Sequence, residues 1–468
     1  MAPLSRRALI TTGLCASGFV PLLSQMVSGG PSSPISLSLA PGPARYPLTG
    51  AAVTEAMMSY AADAPPPVLR LRQGQPARIS VLNNLSEITT VHWHGVRVPF
   101  AQDGVPWLTQ VPIGPGETYV YDFTPPDAGT YWYHPHCNTL EQIARGLAGV
   151  LIVDEAEDQA FDADIAVLVR DFRLGKDGQF IAFASPRNMA RGGTFGTVST
   201  ADWAVDPVIS APAGGLVRLR LVVTDVTRVY DLSLQGAEAM LVALDGQPLV
   251  NPEALSEGLL IAPGQRADLV VRMPDLADET VSLVMRLRGK EERVLARLVA
   301  SGPSLSRRLA DLRPLPPNPT ALPDLAQAEA LDFVFGWSPE GNAPESGGFC
   351  GDVPYRFWSI NRQVFGGDAP PDPARPGTPL AELRLGKSYR FRLRNETQND
   401  HPIHLHGFAM HLIGPDGKLT GQARDTILLR SHDVTEVAVL ADNPGDWVFH
   451  CHVIEHQKTG LAGIIRVS

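Results

Sequence analysis

The chain has 468 residues, 44% of them hydrophobic and 19% charged, with a formal net charge of -10. That length suggests about three domains. The acidic balance, with no long basic run, excludes a nucleic-acid binder, which needs concentrated Lys and Arg against phosphate.

In chain order, Ser5-Arg6-Arg7-Ala8-Leu9-Ile10 precedes a moderately apolar run to about Leu23. Paired arginines ahead of a short, weakly hydrophobic core resemble a twin-arginine export signal; the plainer readings are a flexible tail or a membrane anchor. The run falls short of the ~20 apolar residues that a spanning helix needs, so no stable membrane insertion is expected. Residues 1–32 are read as signal peptide and flexible start, and the mature protein is expected in the periplasm. Export after folding with a cofactor would suit a metalloprotein. Of the four cysteines, Cys15 would leave with the signal. Cys137 and Cys350 either pair in an oxidising compartment or stay as two buried free thiols, and the second is the default expectation.

Beyond a Pro/Gly/Ser-rich stretch at 29–47, short alternating or β-branched runs lie between Gly, Pro, Asn and Asp, for example Ala77-Arg78-Ile79-Ser80-Val81-Leu82 and Thr118-Tyr119-Val120-Tyr121-Asp122-Phe123. Many short strands with frequent turns predict an all-β chain of β-sandwiches. Long amphipathic helices are hard to find, and the best helical candidate of the first half, Thr139 to Arg145, is short.

An internal repeat is more informative. Val91-His92-Trp93-His94-Gly95 matches Ile403-His404-Leu405-His406-Gly407, and Gly129-Thr130-Tyr131-Trp132-Tyr133-His134-Pro135-His136 matches Gly445-Asp446-Trp447-Val448-Phe449-His450-Cys451-His452. A weaker third copy lies between them: the glycine-led strands at Gly74 and Gly386 have a counterpart at Gly215, in a stretch without histidine. Acidic 154–158 and proline-rich 313–323 read as linkers, giving domains 33–153, 160–312 and 324–468. The middle domain is expected to supply architecture, not chemistry.

Ten of the 12 histidines fall in four places: His92/His94, His134/His136, His401/His404/His406 and His450/His452/His456. On a strand, His-x-His puts both rings on one face with their Cα atoms about 6.5–7 Å apart, and such a pair reaches two adjacent metal ions. An isolated pair is more often a surface feature or a zinc site; four pairs in a repeat favour a cluster of three ions between the first and third domains. Cys451, between His450 and His452, faces the other way. With His401 and His456 it forms a trigonal His₂Cys set of the blue-copper kind, and Leu461 stands where a weak axial Met would sit. The first domain has Thr89, Pro135 and Leu140 at the positions of His401, Cys451 and His456, so this mononuclear site is unique to the third. His411 and His432 belong to no pair and are read as ordinary histidines.

His-Trp-His-Gly, His-Pro-His, His-Pro-Ile-His-Leu-His and His-Cys-His-Val-Ile-Glu-His together make the chain resemble a bacterial three-domain multicopper oxidase of the laccase-like kind. The resemblance covers the whole mature chain. It implies three consecutive cupredoxin-like Greek-key β-sandwich domains and four copper ions, one type 1, one type 2 and two type 3. It makes His92 and His404 type 2 ligands. It places His94, His134 and His452 on one type 3 copper and His136, His406 and His450 on the other.

The family's reaction couples four one-electron oxidations at an exposed type 1 edge, here through His456, to reduction of dioxygen to water. Electrons then pass along Cys451 to His450 and His452. Asp103 matches a family carboxylate that supplies protons, although a turn aspartate before Gly104 is the plainer reading. A second acid after the last type 1 histidine is replaced here by Gln457, and Glu455 points elsewhere in this reading. Nine methionines without a dense cluster in the third domain, together with Leu461, favour a small phenol or aromatic amine as donor. The alternatives are an oxidase of cuprous, manganese or ferrous ions, and a non-catalytic copper-binding scaffold. A monomer is expected.

Overall fold

In all three copies, a glycine-led strand sits between an earlier strand that it pairs with in parallel and a later one that it pairs with antiparallel. Ala77–Leu82 lies between Ile35–Leu39 and Thr118–Phe123, Leu216–Val223 between Ala163–Phe172 and Arg266–Arg272, and Ser388–Asn395 between Glu329–Trp337 and Val434–Leu440. The computed structural model describes residues 33–468 except 51, 158, 288–290, 340–352, 354 and 367–377. The expected signal segment and Cys350 lie outside the described residues.

A second sheet faces each of these. In the first copy its strand order is Leu69–Arg72, Gly149–Asp154, Gly129–His134, His92–His94. In the third it is Ala381–Leu383, Ala462–Val467, Gly445–Cys451, His401–Leu405, Thr426–Leu429. The middle copy reproduces the order with Tyr230–Gln235 and Thr280–Arg286 at the histidine-bearing positions. Alternating side chains from the two sheets fill the core between them. In the first copy Ile79, Val81 and Tyr121 meet Leu71, Trp93 and Leu151, all buried. The chain is therefore all-β, with three consecutive cupredoxin-like sandwiches. The predicted helix appears as Thr139–Arg145. No described helix is long and apolar enough to cross a membrane.

Cys137 is disulfide-bonded, which corrects the expectation of free thiols. Among the described residues Cys451 is the free cysteine, and it is buried.

Candidate metal centres

The 42- and 46-residue offsets between matched histidines are one strand pairing made twice. His92 stands opposite His134 in the first copy, and His404 opposite His450 in the third. Cross-strand partners share a face and neighbours along a strand alternate. Thus His404 and His450 point one way, while Ile403 and its partner Cys451 point the other, together with His401. The short helix Ile454–Lys458 then turns the chain back and brings His456 to the Cys451 face.

There Cys451 Sγ lies 3.6 Å from Nδ1 of both His401 and His456, and the two nitrogens are 3.1 Å apart. A point equidistant from the three atoms is about 2 Å from each, close to a metal–ligand bond length. Leu461 is fully buried in the same apolar cluster as Cys451, and its carbonyl accepts from the Cys451 N–H at 3.0 Å.

On the other face eight imidazoles converge, each at most 1% exposed. His92/His94/His134, His92/His404/His406 and His136/His406/His450 form groups whose ligand atoms lie within 4.8 Å of one another. His452 adjoins His94 and His134, at ring-centroid distances of 4.9 and 5.5 Å.

The hydrogen bonds show how the rings are aimed. Nδ1 of His92, His134, His404 and His450 lies 2.9–3.0 Å from the carbonyl oxygens of Asp103, Pro135, Asp425 and Cys451 respectively, each placed to accept its proton. Donating outward fixes the tautomer and turns the Nε2 lone pair inward. His94 is reversed: its Nε2 faces the Asp425 carboxylate at 3.2 Å. Nε2 of His92, His134 and His404, Nδ1 of His94 and both ring nitrogens of His136 and His452 are buried without a partner. Orphaned buried polar atoms are rare and costly, and inward imidazole lone pairs fit copper.

Electrostatics agree. Burial, then neighbouring imidazoles, pushes His94, His134, His136, His401, His406, His450 and His452 well below the ordinary histidine range. Burial lowers His456 to about 4. Neutral imidazoles are what a metal requires. Burial also pushes the Cys451 thiol up, so a cation must offset the thiolate charge.

A pH dependence follows for the metal-free protein. Each folded-state pKa lies below the ordinary 6.5, so on acidification the unfolded chain takes up more protons and stability falls. For His456 the window runs from about pH 6.5 down to about 4. Melting temperatures of the metal-free protein between pH 7.5 and 4.5 are expected to drop steeply across it, while the copper-loaded protein resists because metal competes with protons. A flat metal-free curve would refute this account.

Asp103 is more than a turn residue. It follows the single turn Phe100–Gln102, and at Gly104, with φ +76°, a Cβ would strike the Val91 carbonyl at 1.8 Å. That close approach places Asp103 Oδ2 2.8 Å from His406 Nδ1 and Oδ1 3.1 Å from His92 Nδ1. Asp425 is a second carboxylate at the cluster, absent from the sequence reading. It holds His94 and His404 and takes a bidentate bond from fully buried Arg266 at 2.6 and 2.8 Å. Its carboxyl lies well below the usual range: burial alone would raise it, but Arg266 and His404 together outweigh burial. Glu455 does face elsewhere, accepting from the Thr194 backbone N–H and hydroxyl.

The middle domain closes both centres, and one expectation needs correction as a result. Gly264, with φ +87°, lies so close that a Cβ would come within 3.0 Å of the His452 ring and 3.1 Å of His94. Arg266 from the same domain clamps Asp425, and the Arg191 carbonyl meets His456, with Met189 on Trp358 and Thr194 on Glu455 to either side. For that reason the His456 edge is not exposed: the residue is fully buried, and its Nε2 faces the Arg191 carbonyl at 2.5 Å. His411 is also buried, and exposed His432 occupies a turn with φ +62°.

Two family models described as multicopper oxidase match residues 45–158 and 351–468. The solved multicopper oxidase of Pseudomonas thermotolerans is 37% identical and superposes with a TM-score of 0.82, covering 93% of this chain and all of that one. The one from Pseudomonas parafulva is also 37% identical, with a TM-score of 0.79 over 92% of this chain and 99% of its own. The multicopper oxidase MmcO of Mycobacterium tuberculosis is 28% identical over 92% of this chain and 86% of its own length. With matched histidine pairs on two sandwiches, a Cys451 trio on one face and eight imidazoles on the other, the chain belongs to the multicopper oxidase family and binds four copper ions.

Proposed function

We propose that the protein is a laccase-like oxidase that takes single electrons from a phenol or aromatic amine and passes them to dioxygen. His401, Cys451 and His456 would hold the type 1 ion, with Leu461 packed in the same buried cluster beside Cys451. His92 and His404 hold the type 2 ion; His94, His134 and His452 hold one type 3 ion and His136, His406 and His450 the other. Bound copper supplies one-electron uptake at the first site and dioxygen reduction at the cluster. The chain's own part is to keep these sites dry, to join them covalently through Cys451 and its two flanking histidines, and to hold carboxylates at Asp103 and Asp425.

The observation that carries the donor class is the lining of the Cys451 centre. Trp358 packs on both of its histidines, at ring-centroid distances of 5.1 Å to His401 and 4.6 Å to His456. Glu455, the carboxylate nearest in sequence, is buried and bound to Thr194, so it is not free to receive a metal ion. Met410 is the single methionine after residue 324 and lies in the core. Among the described residues the lining is aromatic, its nearest carboxylate is already engaged and its one thioether, Met189, is buried in the apolar cluster, which suits an organic donor better than a cation.

Oxygen uptake by the copper-loaded protein across a panel of phenols, aromatic amines, cuprous, ferrous and manganous ions tests this. Rapid uptake with phenols and amines is expected. Turnover with cuprous ion alone, phenols being inert, would replace the reading with a metal-ion oxidase. We also propose that residues 1–32 direct twin-arginine export to the periplasm. The arginine pair supports this, and the disulfide at Cys137 fits an oxidising compartment.

A further inference from the structure

A donor has to deliver its electron to a type 1 site whose own edges are closed. His401 and His456 are both fully buried. His401 Nε2 meets the Thr397 hydroxyl at 2.8 Å, and His456 Nε2 meets the Arg191 carbonyl. Neither ring leaves an outer atom for a substrate to touch, so the donor meets the site through whatever packs on these rings.

Trp358 is that neighbour. It is fully buried against both histidines, and its position is fixed from two sides: the indole N–H donates to the Met189 carbonyl at 2.8 Å, and its backbone N–H donates to Thr459 just beyond His456. Directly across the strand pair, in register, stands Trp337. The two indoles stack with centroids 4.3 Å apart and planes inclined by 18°. Trp337 is 51% exposed. Cross-strand packing explains why two aromatic rings pair. It does not explain why the outer one keeps half of a large apolar surface in water, where burial would be favourable.

We propose that Trp337 is a surface docking site for bulky or polymer-bound phenols, and that the stacked Trp337–Trp358 pair conducts their electrons to His401 and His456. This rests on the phenolic reading above and extends it to donors too large to displace Arg191 from His456. The phenol stacks on the free face of Trp337, gives up one electron and releases its hydroxyl proton to water, leaving a neutral phenoxyl radical. The electron passes from the phenol to Trp337, across the stacked indoles to Trp358, and from Trp358 to the edge-on His401 or tilted His456 ring, and neither indole remains oxidised. Four such transfers match the four electrons that one dioxygen takes up.

The test compares the copper-loaded full chain with its Trp337→Ala and Trp337→Phe variants. Anaerobic bleaching of the blue band is followed in stopped flow with a methoxyphenol, free or coupled to polyethylene glycol. Trp337→Ala is expected to slow reduction by the coupled phenol about tenfold, the scale of one lost aromatic contact. Trp337→Phe should recover part of the rate, with the blue band and copper content unchanged in both variants. A second readout needs no metal: in the metal-free protein the coupled phenol should quench an indole emission component that Trp337→Phe lacks. Equal rates in wild type and Trp337→Ala overturn the relay and leave the phenolic reading intact. If the wild type is reduced by cuprous ion and by neither phenol, the phenolic reading falls, and with it this donor class. Hexacyanoferrate(II), an outer-sphere donor indifferent to that reading, then decides by the same wild-type to variant ratio whether the indole pair conducts.

Discussion

Cys451→Ser is expected to abolish the blue colour and donor oxidation together, while the histidine cluster keeps its copper. The thiol is buried and pushed up by that burial, so it ionises only opposite a cation held with His401 and His456. A serine hydroxyl is harder to ionise and offers no soft ligand. The other face should be indifferent to the change. His450 and His452 point away from the sulfur, serine is close to cysteine in volume, and the Cys451 N–H bond to Leu461 is made by the backbone. Metal analysis should therefore find three copper ions per chain in place of four. Loss of all four would sink the idea that one strand serves two independent sites on its opposite faces.

Asp103→Asn should act at the other end of the electron path. The carboxylate bonds His406 Nδ1 at 2.8 Å and stands 3.1 Å from His92 Nδ1, whose proton goes to the Asp103 carbonyl, so Asp103 aims one ring with its side chain and the other with its backbone. An amide keeps the shape but loses the charge, and it offers one acceptor oxygen where the carboxylate offers two. Outer partners of metal-bound imidazoles typically cost about 10- to 100-fold in activity or affinity when changed. Reoxidation of the reduced enzyme by dioxygen is expected to slow on that scale. Anaerobic reduction by donor should keep its wild-type rate, because Asp103 lies on the cluster face and not beside Cys451. Reoxidation at the wild-type rate would return Asp103 to the role of a turn residue.

The two-face logic of the centres was legible in the sequence because it depends only on strand parity. His401, Cys451, His404 and His450 are sorted by odd and even spacing once the segments are strands, and the repeat showed that the histidine pairs recur in matched positions of two domains. The strand limits Ala77–Leu82 and Thr118–Phe123 and the helix Thr139–Arg145 were equally local properties. What could not be read was contact between distant segments. Asp425 is separated from His94 by 331 residues, and nothing in the run around it points to a histidine partner so far along the chain. Arg266 and Gly264 belong to a domain with no metal-binding residue pattern, so their approach to the cluster follows only from how three sandwiches pack. The meeting of the Arg191 carbonyl with His456 has the same origin. A usable signal did exist in the run Gly264-Gln265-Arg266: a glycine beside an arginine at a strand start hints at a tight turn and a buried charge, but not at its partner.

The burial of all ten ligand histidines also bears on how the metal gets in and out. With Gly264 against two rings, Arg266 clamped on Asp425 and Arg191 over His456, no copper ion can leave along a preformed channel through these contacts. Exchange past these contacts requires a local opening there, so the free energy of that opening adds to the cost of breaking the copper–nitrogen bonds. The domain without ligands thus lengthens the residence time of a cofactor that it does not itself bind.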